Sequence, residues 1–326
     1  MTGIAPNGGM TPAPLPSFEV QIERPDLSHW RAGNTGIAGF TSHAAEAPGP
    51  HVLLLSLMHG NEYSGAVVLD RMLRAGLRPR RGRLTLGFVN LAAFDAFDPE
   101  NPTASRFVDE DMNRLWDPAL IDGPRRSVEL DRVREIRSAV DAADIVLDLH
   151  SMLWPSDPLI LCGATQRGRE LAAAVGNPGL VVADAGHSAG PRLIDYPRFA
   201  CDDGVARAIL VEAGQHWHGA SVDMASASVF GLLHHLGMAD GHPALPAAAP
   251  AQLQVAEVTA VVTATTSAFC FMRAFRGGEV IARRNTLIAL DGSNEVRTPH
   301  DDCLLVMPTL RPSRGHTAVR LARMID

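Results

Sequence analysis

Four short stretches of this chain hold residue types that could carry chemistry. The first is His59-Gly60-Asn61-Glu62. A His and a Glu three apart can converge on a tight turn, and imidazole nitrogen and carboxylate oxygen are both good zinc ligands. The second is His150, with Asp148 two residues before it. On a strand these two share a face, so the carboxylate could hold the imidazole in place. The third is the loop Ser105-Arg106-Phe107-Val108-Asp109-Glu110-Asp111-Met112-Asn113-Arg114. Its arginines and Asn suit carboxylate recognition, because a guanidinium grips a carboxylate in a two-bond fork. The fourth is Glu212, directly after the apolar run Ala208-Ile209-Leu210-Val211. Each has a plainer reading when taken alone: a surface hydrogen bond for His59 and Glu62, a solvent-facing His150, an ordinary arginine-containing loop, and a helix cap for Glu212.

The elements that must position them follow from periodicity. Continuous apolar runs mark strands buried on both faces: 52–57, 144–149 and 208–211, with 83–90 beside them and weaker strands at 159–162 and 180–183. Helical spacing marks 64–75, 127–143 and 221–236. Strands that alternate with helices imply an α/β fold, a mostly parallel or mixed sheet flanked by helices. In such sheets the carboxyl ends of strands are where ligands bind, and the four stretches stand at the ends of predicted strands. Residues 18–22 read as a short strand ahead of this unit. Residues 1–16 read as a disordered tail from their Pro and Gly content. An α/β domain over 17–240 is followed by a Pro- and Ala-rich linker, 241–252, and then by alternating apolar pieces over 253–326, expected to be a small all-β domain.

Together, in their order and at strand ends, the four stretches resemble the succinylglutamate desuccinylase/aspartoacylase family of the zinc carboxypeptidase superfamily. The matching motifs are H-G-N-E, the R…D-x-N-R loop, D-L-H and the strand-terminal V-E; the segment EVRTPHDDCLLVMP is similar to the family's small β domain. The resemblance implies one zinc ion per chain held by His59, Glu62 and His150, with a fourth position open to water, as in catalytic sites. It also implies Glu212 as general base, Arg106 as the group that polarises the scissile carbonyl, and Asn113 and Arg114 as the pair that binds a substrate carboxylate. The implied activity is amide hydrolysis: removal of an acyl group from an N-acyl amino acid. A carboxypeptidase acting on peptides is the alternative from the same superfamily, and a catalytically inactive metal-binding protein is a third reading. His216 and His218 match no family-wide role. Arg192 is a candidate for the acyl group's own charge, one arginine among many.

Composition narrows the rest. All 29 cationic side chains are arginine, with no lysine anywhere. Schiff-base enzymes, P-loop NTPases and protein kinases need a lysine and are excluded. A biotinyl or lipoyl carrier, which the C-terminal β segment would otherwise suggest, is excluded for the same reason. The net charge of -7, with no basic run, argues against nucleic acid as a partner. No apolar run is long enough to span a bilayer, and no targeting segment is visible. The four cysteines are far apart, which suits a reducing cytoplasm. The expected partner is a small molecule; a homo-oligomer is left open.

Overall fold

The structure, a computed structural model, describes residues 18–187 and 189–325. The expected tail, 1–16, lies outside the described residues. In chain order the first part forms β1 (Phe40–Ala44), β2 (His51–Ser56), α1 (Ser64–Arg74), β3 (Arg83–Phe88), α2 (Leu91–Asp95), α3 (Pro118–Ile121), α4 (Val128–Ala142), β4 (Ile145–Met152), β5 (Leu159–Leu161), α5 (Gln166–Val175), β6 (Leu180–Ala183), α6 (Pro197–Ala200), β7 (Arg207–Gln215) and α7 (Gly219–His235). The second part is all strand: β8 (Gln254–Thr263), β9 (Phe269–Phe271), β10 (Val280–Ile281), β11 (Leu287–Asp291), β12 (Asn294–Arg297), β13 (Cys303–Val306) and β14 (Thr317–Ile325).

One sheet of eleven strands runs through the molecule in the order β1-β3-β2-β4-β7-β5-β6-β8-β14-β13-β10. Strands β3, β2, β4 and β7 are mutually parallel, while β5 runs antiparallel to β7 and sets the direction of β6 and β8. The sheet is therefore mixed, with helices on both faces. α1, α5 and α7 cover one face, over a core that includes Leu54, Leu69, Leu147 and Val211. α4 and the loops around Trp116 and Leu193 cover the other, over Leu53, Val146, Ile136 and Leu210. The buried strands are apolar on both sides because both sides are covered: Val52, Leu53, Leu54 and Leu55 are all fully buried.

The composition break at 241–252 does not end the sheet. That segment forms no helix or strand, yet it is pinned by Asn177 Nδ2 donating to Ala249 O at 3.0 Å and by Ala251 N–H donating to Gly176 O at 2.9 Å. β8 then pairs in parallel with β6, and β14, with no counterpart among the expected strands, joins β8 to β13. Only β9, β11 and β12 form a separate, antiparallel sheet, packed over its own core around Phe271, Ile288 and Leu305. Gly277 bridges this part to Ser156 and Asp157, in the loop that follows β4.

One local expectation is corrected. Residues 18–22 are not a strand. Phe18 packs edge-on against Trp154 and Trp217, and the chain is held by single hydrogen bonds such as Gln21 N–H to Trp217 O at 3.0 Å. Its alternating pattern reflects packing onto the sheet's helical layer, with no neighbouring strand to pair with. No helix among the described residues is long and apolar enough to cross a membrane, and all four cysteines are free.

Candidate metal centre and its surroundings

Strand register brings the sequence-distant groups together. His150 lies within β4 and Glu212 within β7, and the two are paired in register, so they stand side by side on one sheet face. β7 continues past Glu212 to Gln215. The helix-cap reading of Glu212 therefore fails; α7 starts at Gly219, behind His218. His59 and Glu62 come from the turn after β2, beside β4 in the sheet. Gly60 is needed there for close approach rather than for a sharp bend: a Cβ would meet the Ala93 carbonyl carbon at 2.2 Å. Trp217, buried beyond β7, locks the turn by donating from Nε1 to Asn61 O at 3.1 Å.

One ligand atom each from His59, Glu62 and His150 lies within 4.8 Å of the others, and all three residues are buried. His59 Nδ1 is 2.8 Å from Glu62 Oε1 and His150 Nδ1 is 3.0 Å from Glu62 Oε2. Each imidazole has a carboxylate behind it: Asp111 Oδ1 at 2.9 Å from His59 Nε2, and Asp148 Oδ2 at 2.9 Å from His150 Nε2. Arg106 Nη2 is as close to His59 Nε2, 2.9 Å. At His150 the charged carboxylate can only accept, so with an ion bound that ring would carry its proton on Nε2 and offer the Nδ1 lone pair; His59 Nε2 faces an acceptor and a donor, and its Nδ1 faces Glu62 in the same way. His59 Nδ1 is buried and makes no hydrogen bond among the described residues. Lone pairs from two imidazoles and a carboxylate facing one another fit a divalent cation, and the carboxylate–histidine pairs behind them are the usual support for one.

The charges agree. Burial pushes the Glu62 carboxyl up, but His59 and His150 outweigh it and hold it well below the usual range. Glu212 is different. It is 6 % exposed, and its Oε2 has no partner among the described residues. Burial pushes it up to about 8, with His150 and Arg106 opposing and Glu62 and Asp148 reinforcing.

The 105–114 loop crosses this centre. Glu129, at the start of α4 and fully buried, shapes it by accepting the backbone N–H groups of Val108, Asp109 and Glu110 at 2.7, 3.0 and 3.2 Å. Arg106, 37 % exposed at its side chain, donates from Nη1 to Glu62 Oε1 at 2.8 Å and from Nη2 to Asp111 Oδ2 at 3.3 Å. Arg114 stands beside it, Nη2 3.7 Å from the same Asp111 oxygen. Burial brings Arg114 down to about 10; Asp111 opposes this, while Arg106, Arg320 and Arg192 add to it. Asn113 is buried, and its carboxamide oxygen already accepts the Leu193 N–H at 2.9 Å, which leaves its NH2 for a ligand.

Residues 48–191 match the sequence signature of the succinylglutamate desuccinylase/aspartoacylase catalytic domain. Over that stretch the chain belongs to this family. The fold agrees along most of its length. The chain is similar to the solved structure of succinylglutamate desuccinylase from Vibrio parahaemolyticus, at 17 % identity over 89 % of this chain and 87 % of that one, with a TM-score of 0.67. It is also similar to succinylglutamate desuccinylase/aspartoacylase from Rhodobacter sphaeroides, at 19 % identity, 88 % and 89 % coverage and a TM-score of 0.64. A third is the product-bound ectoine utilization protein EutE (DoeB) from Ruegeria pomeroyi, at 18 % identity, 87 % and 88 % coverage and a TM-score of 0.61. No curated protein matches the sequence. Within this desuccinylase/aspartoacylase catalytic domain, His59, Glu62, Arg106, Asn113, Arg114 and His150 all fall in the matched stretch, and Glu212 lies beyond it.

The remaining candidates separate. Arg192 is buried and fully engaged, bonded to Asp184 through both Nη atoms at 2.9 and 2.6 Å and to Asp195 through Nε at 2.7 Å. It braces the fold beside Asn113 and is not free to meet an acyl charge. His218 is exposed and flanks the start of α7, where its carbonyl accepts the Ser221 hydroxyl. His216 is buried at the centre's edge. Three contributors were not singled out from sequence: Asp111 as the partner of His59, Glu129, and Arg320 on β14. Arg320 is 8 % exposed at its side chain, 3.4 Å from Asp184, and electrostatically coupled to Glu212. Asp111 sits inside a motif, but its partner is 52 residues away; for Arg320 no local signal exists.

Proposed function

We propose that this chain is a zinc-dependent amidohydrolase that removes the acyl group from an N-acyl amino acid or a similar small amide bearing a carboxylate. The observation that carries this reading is the register pairing of His150 with Glu212. It sets a buried carboxylate, one oxygen of which has no partner among the described residues, beside three converging metal-ligand groups, each imidazole braced by its own carboxylate.

His59, Glu62 and His150 would hold the ion, which when bound supplies Lewis-acid polarisation of a carbonyl and acidifies water. Arg114, with the Asn113 NH2, takes the substrate's carboxylate; an arginine held down by burial and neighbouring cations gains from an anion in that place. That contact fixes the amide and supplies the proximity term. Arg106 hydrogen-bonds the scissile carbonyl oxygen and follows its charge as it develops. Glu212 takes a proton from the attacking water and returns one to the leaving nitrogen. A carboxylate shifted up toward neutrality suits both transfers. The β9–β14 part, docked on the loop after β4, limits the site to small substrates.

The test is a panel of N-acetyl, N-succinyl and N-formyl amino acids and short peptides, given to the zinc-loaded protein. Glu212→Gln is expected to keep its metal and lose about 10²- to 10⁴-fold in kcat. Retained turnover removes Glu212 from the chemistry, and cleavage of peptides alone replaces the deacylase reading by the peptidase one.

A further inference from the structure

The proposed mechanism leaves His216 unused, although it is buried at the edge of the metal centre. It follows Glu212 by four residues, beyond Gly214 (φ 119°), where the register between β7 and β4 shifts. There its backbone N–H donates to Met152 O at 2.9 Å, and its ring stacks edge-on against Trp217. The ring is 1 % exposed. Among the charges that act on it are Glu62, Arg106, His59 and His150, the groups of the metal end.

Its Nδ1 is 2.8 Å from Ser151 Oγ. Ser151 adjoins His150, and its backbone N–H donates to Glu62 Oε2 at 3.2 Å. Ser151 Oγ has no other hydrogen bond among the described residues, and the residue is buried. A buried hydroxyl that merely accepted from the ring would leave its own proton without an acceptor. The hydroxyl therefore donates to Nδ1, and the single proton of the neutral ring sits on Nε2. Burial, which pushes His216 down to about 4, keeps the ring neutral at pH 7. Ser151 occupies Nδ1, which leaves Nε2 as the ring nitrogen for a ligand.

Building on the amide-hydrolysis reading, we propose that His216 is a catalytic hydrogen-bond donor, its Nε2–H meeting the scissile carbonyl oxygen alongside Arg106, and that Ser151 is the positioning residue that fixes its tautomer. A neutral donor differs usefully from Arg106: it adds no charge to a centre that already holds cations.

Two measurements test this on the full-length, zinc-loaded protein. Long-range ¹H–¹⁵N spectra of histidine-labelled protein, with the signal assigned by its loss in His216→Gln, should show the proton on Nε2 at pH 7. Ser151→Ala should shift that signal toward a tautomer mixture. A proton on Nδ1 overturns the proposal. In kinetics, His216→Asn keeps a partner for Ser151 but removes the Nε2 group. It is expected to lower kcat by about 10²-fold with little change in KM and full metal content. His216→Gln, whose amide nitrogen reaches the Nε2 position, should recover at least about tenfold of that loss. Equal losses in both variants, or metal content that falls with activity, show a structural role and overturn it. A wild-type protein that turns over while His216→Asn matches it sinks this role alone; a wild-type protein that hydrolyses no panel member sinks the deacylase reading and this role together.

Discussion

Replacing Asp148 by Asn tests the metal centre at its most specific point. Asp148 is fully buried, with Oδ2 2.9 Å from His150 Nε2 and Oδ1 without a partner. Asn fits the same space but can turn only two ways. With its oxygen toward His150, the ring keeps its tautomer. The new NH2 then takes the place of Oδ1, where nothing accepts it, at a cost of about 1–3 kcal/mol in folding. The imidazole also loses the negative charge that makes it a better donor. With its NH2 toward His150, the amide donates to Nε2, and the ring proton must move to Nδ1. That atom is 3.0 Å from Glu62 Oε2, so the proton occupies the lone pair meant for the ion. Either way metal binding weakens. Loss of such a supporting carboxylate costs about 10- to 100-fold in affinity, about 1.4–2.7 kcal/mol. The assay is a competition titration against a chromophoric zinc chelator, with circular dichroism and Tm as the check on folding. If the variant is folded and its affinity is within about twofold of wild type, His150 Nδ1 is not a ligand and the tautomer argument is wrong.

Three further outcomes are expected. Arg114→Ala should raise KM for carboxylate-bearing substrates about 10- to 100-fold, more than it lowers kcat, because it removes binding felt equally before and during reaction; Michaelis curves decide it, and an unchanged KM means the carboxylate is held elsewhere. Glu129→Ala should strip three backbone N–H groups of the 105–114 loop of their acceptor and lower stability by about 3 kcal/mol, read in urea melts; a smaller loss than about 1 kcal/mol would show that water replaces the carboxylate. Stability should also depend on acid through His216, which is pushed from 6.5 down to about 4 in the fold. The unfolded chain binds that proton first, so the contribution is complete above pH 6.5 and is lost as pH falls toward 4. At pH 5 this amounts to about 2 kcal/mol, and Tm against pH should be flatter in His216→Gln than in wild type. Parallel curves would refute it.

Much of the site is legible without coordinates because its signals are local. The apolar run 52–57 ends where His59 and Glu62 must turn, and Asp148 and His150 share a face simply because strands alternate. Helix α4 begins where Ser127 caps it, accepting Leu130 N–H at 3.0 Å. The absence of lysine needs no structure at all to exclude whole reaction classes.

What the tertiary structure decided has long sequence separation. The pairing of His150 with Glu212 depends on strand register. The bond between Asp111 and His59 depends on how a loop is folded by Glu129, and that of Ser151 with His216 spans 65 residues. Arg192 is a free guess in sequence and a buried brace in the fold, because only packing shows that Asp184 and Asp195 already hold it. The continuation of the sheet from β6 through β8 to β14 is likewise invisible to composition. A Pro-rich stretch reports that the chain leaves regular structure, whereas hydrogen bonding between strands is a property of what the chain meets when it returns.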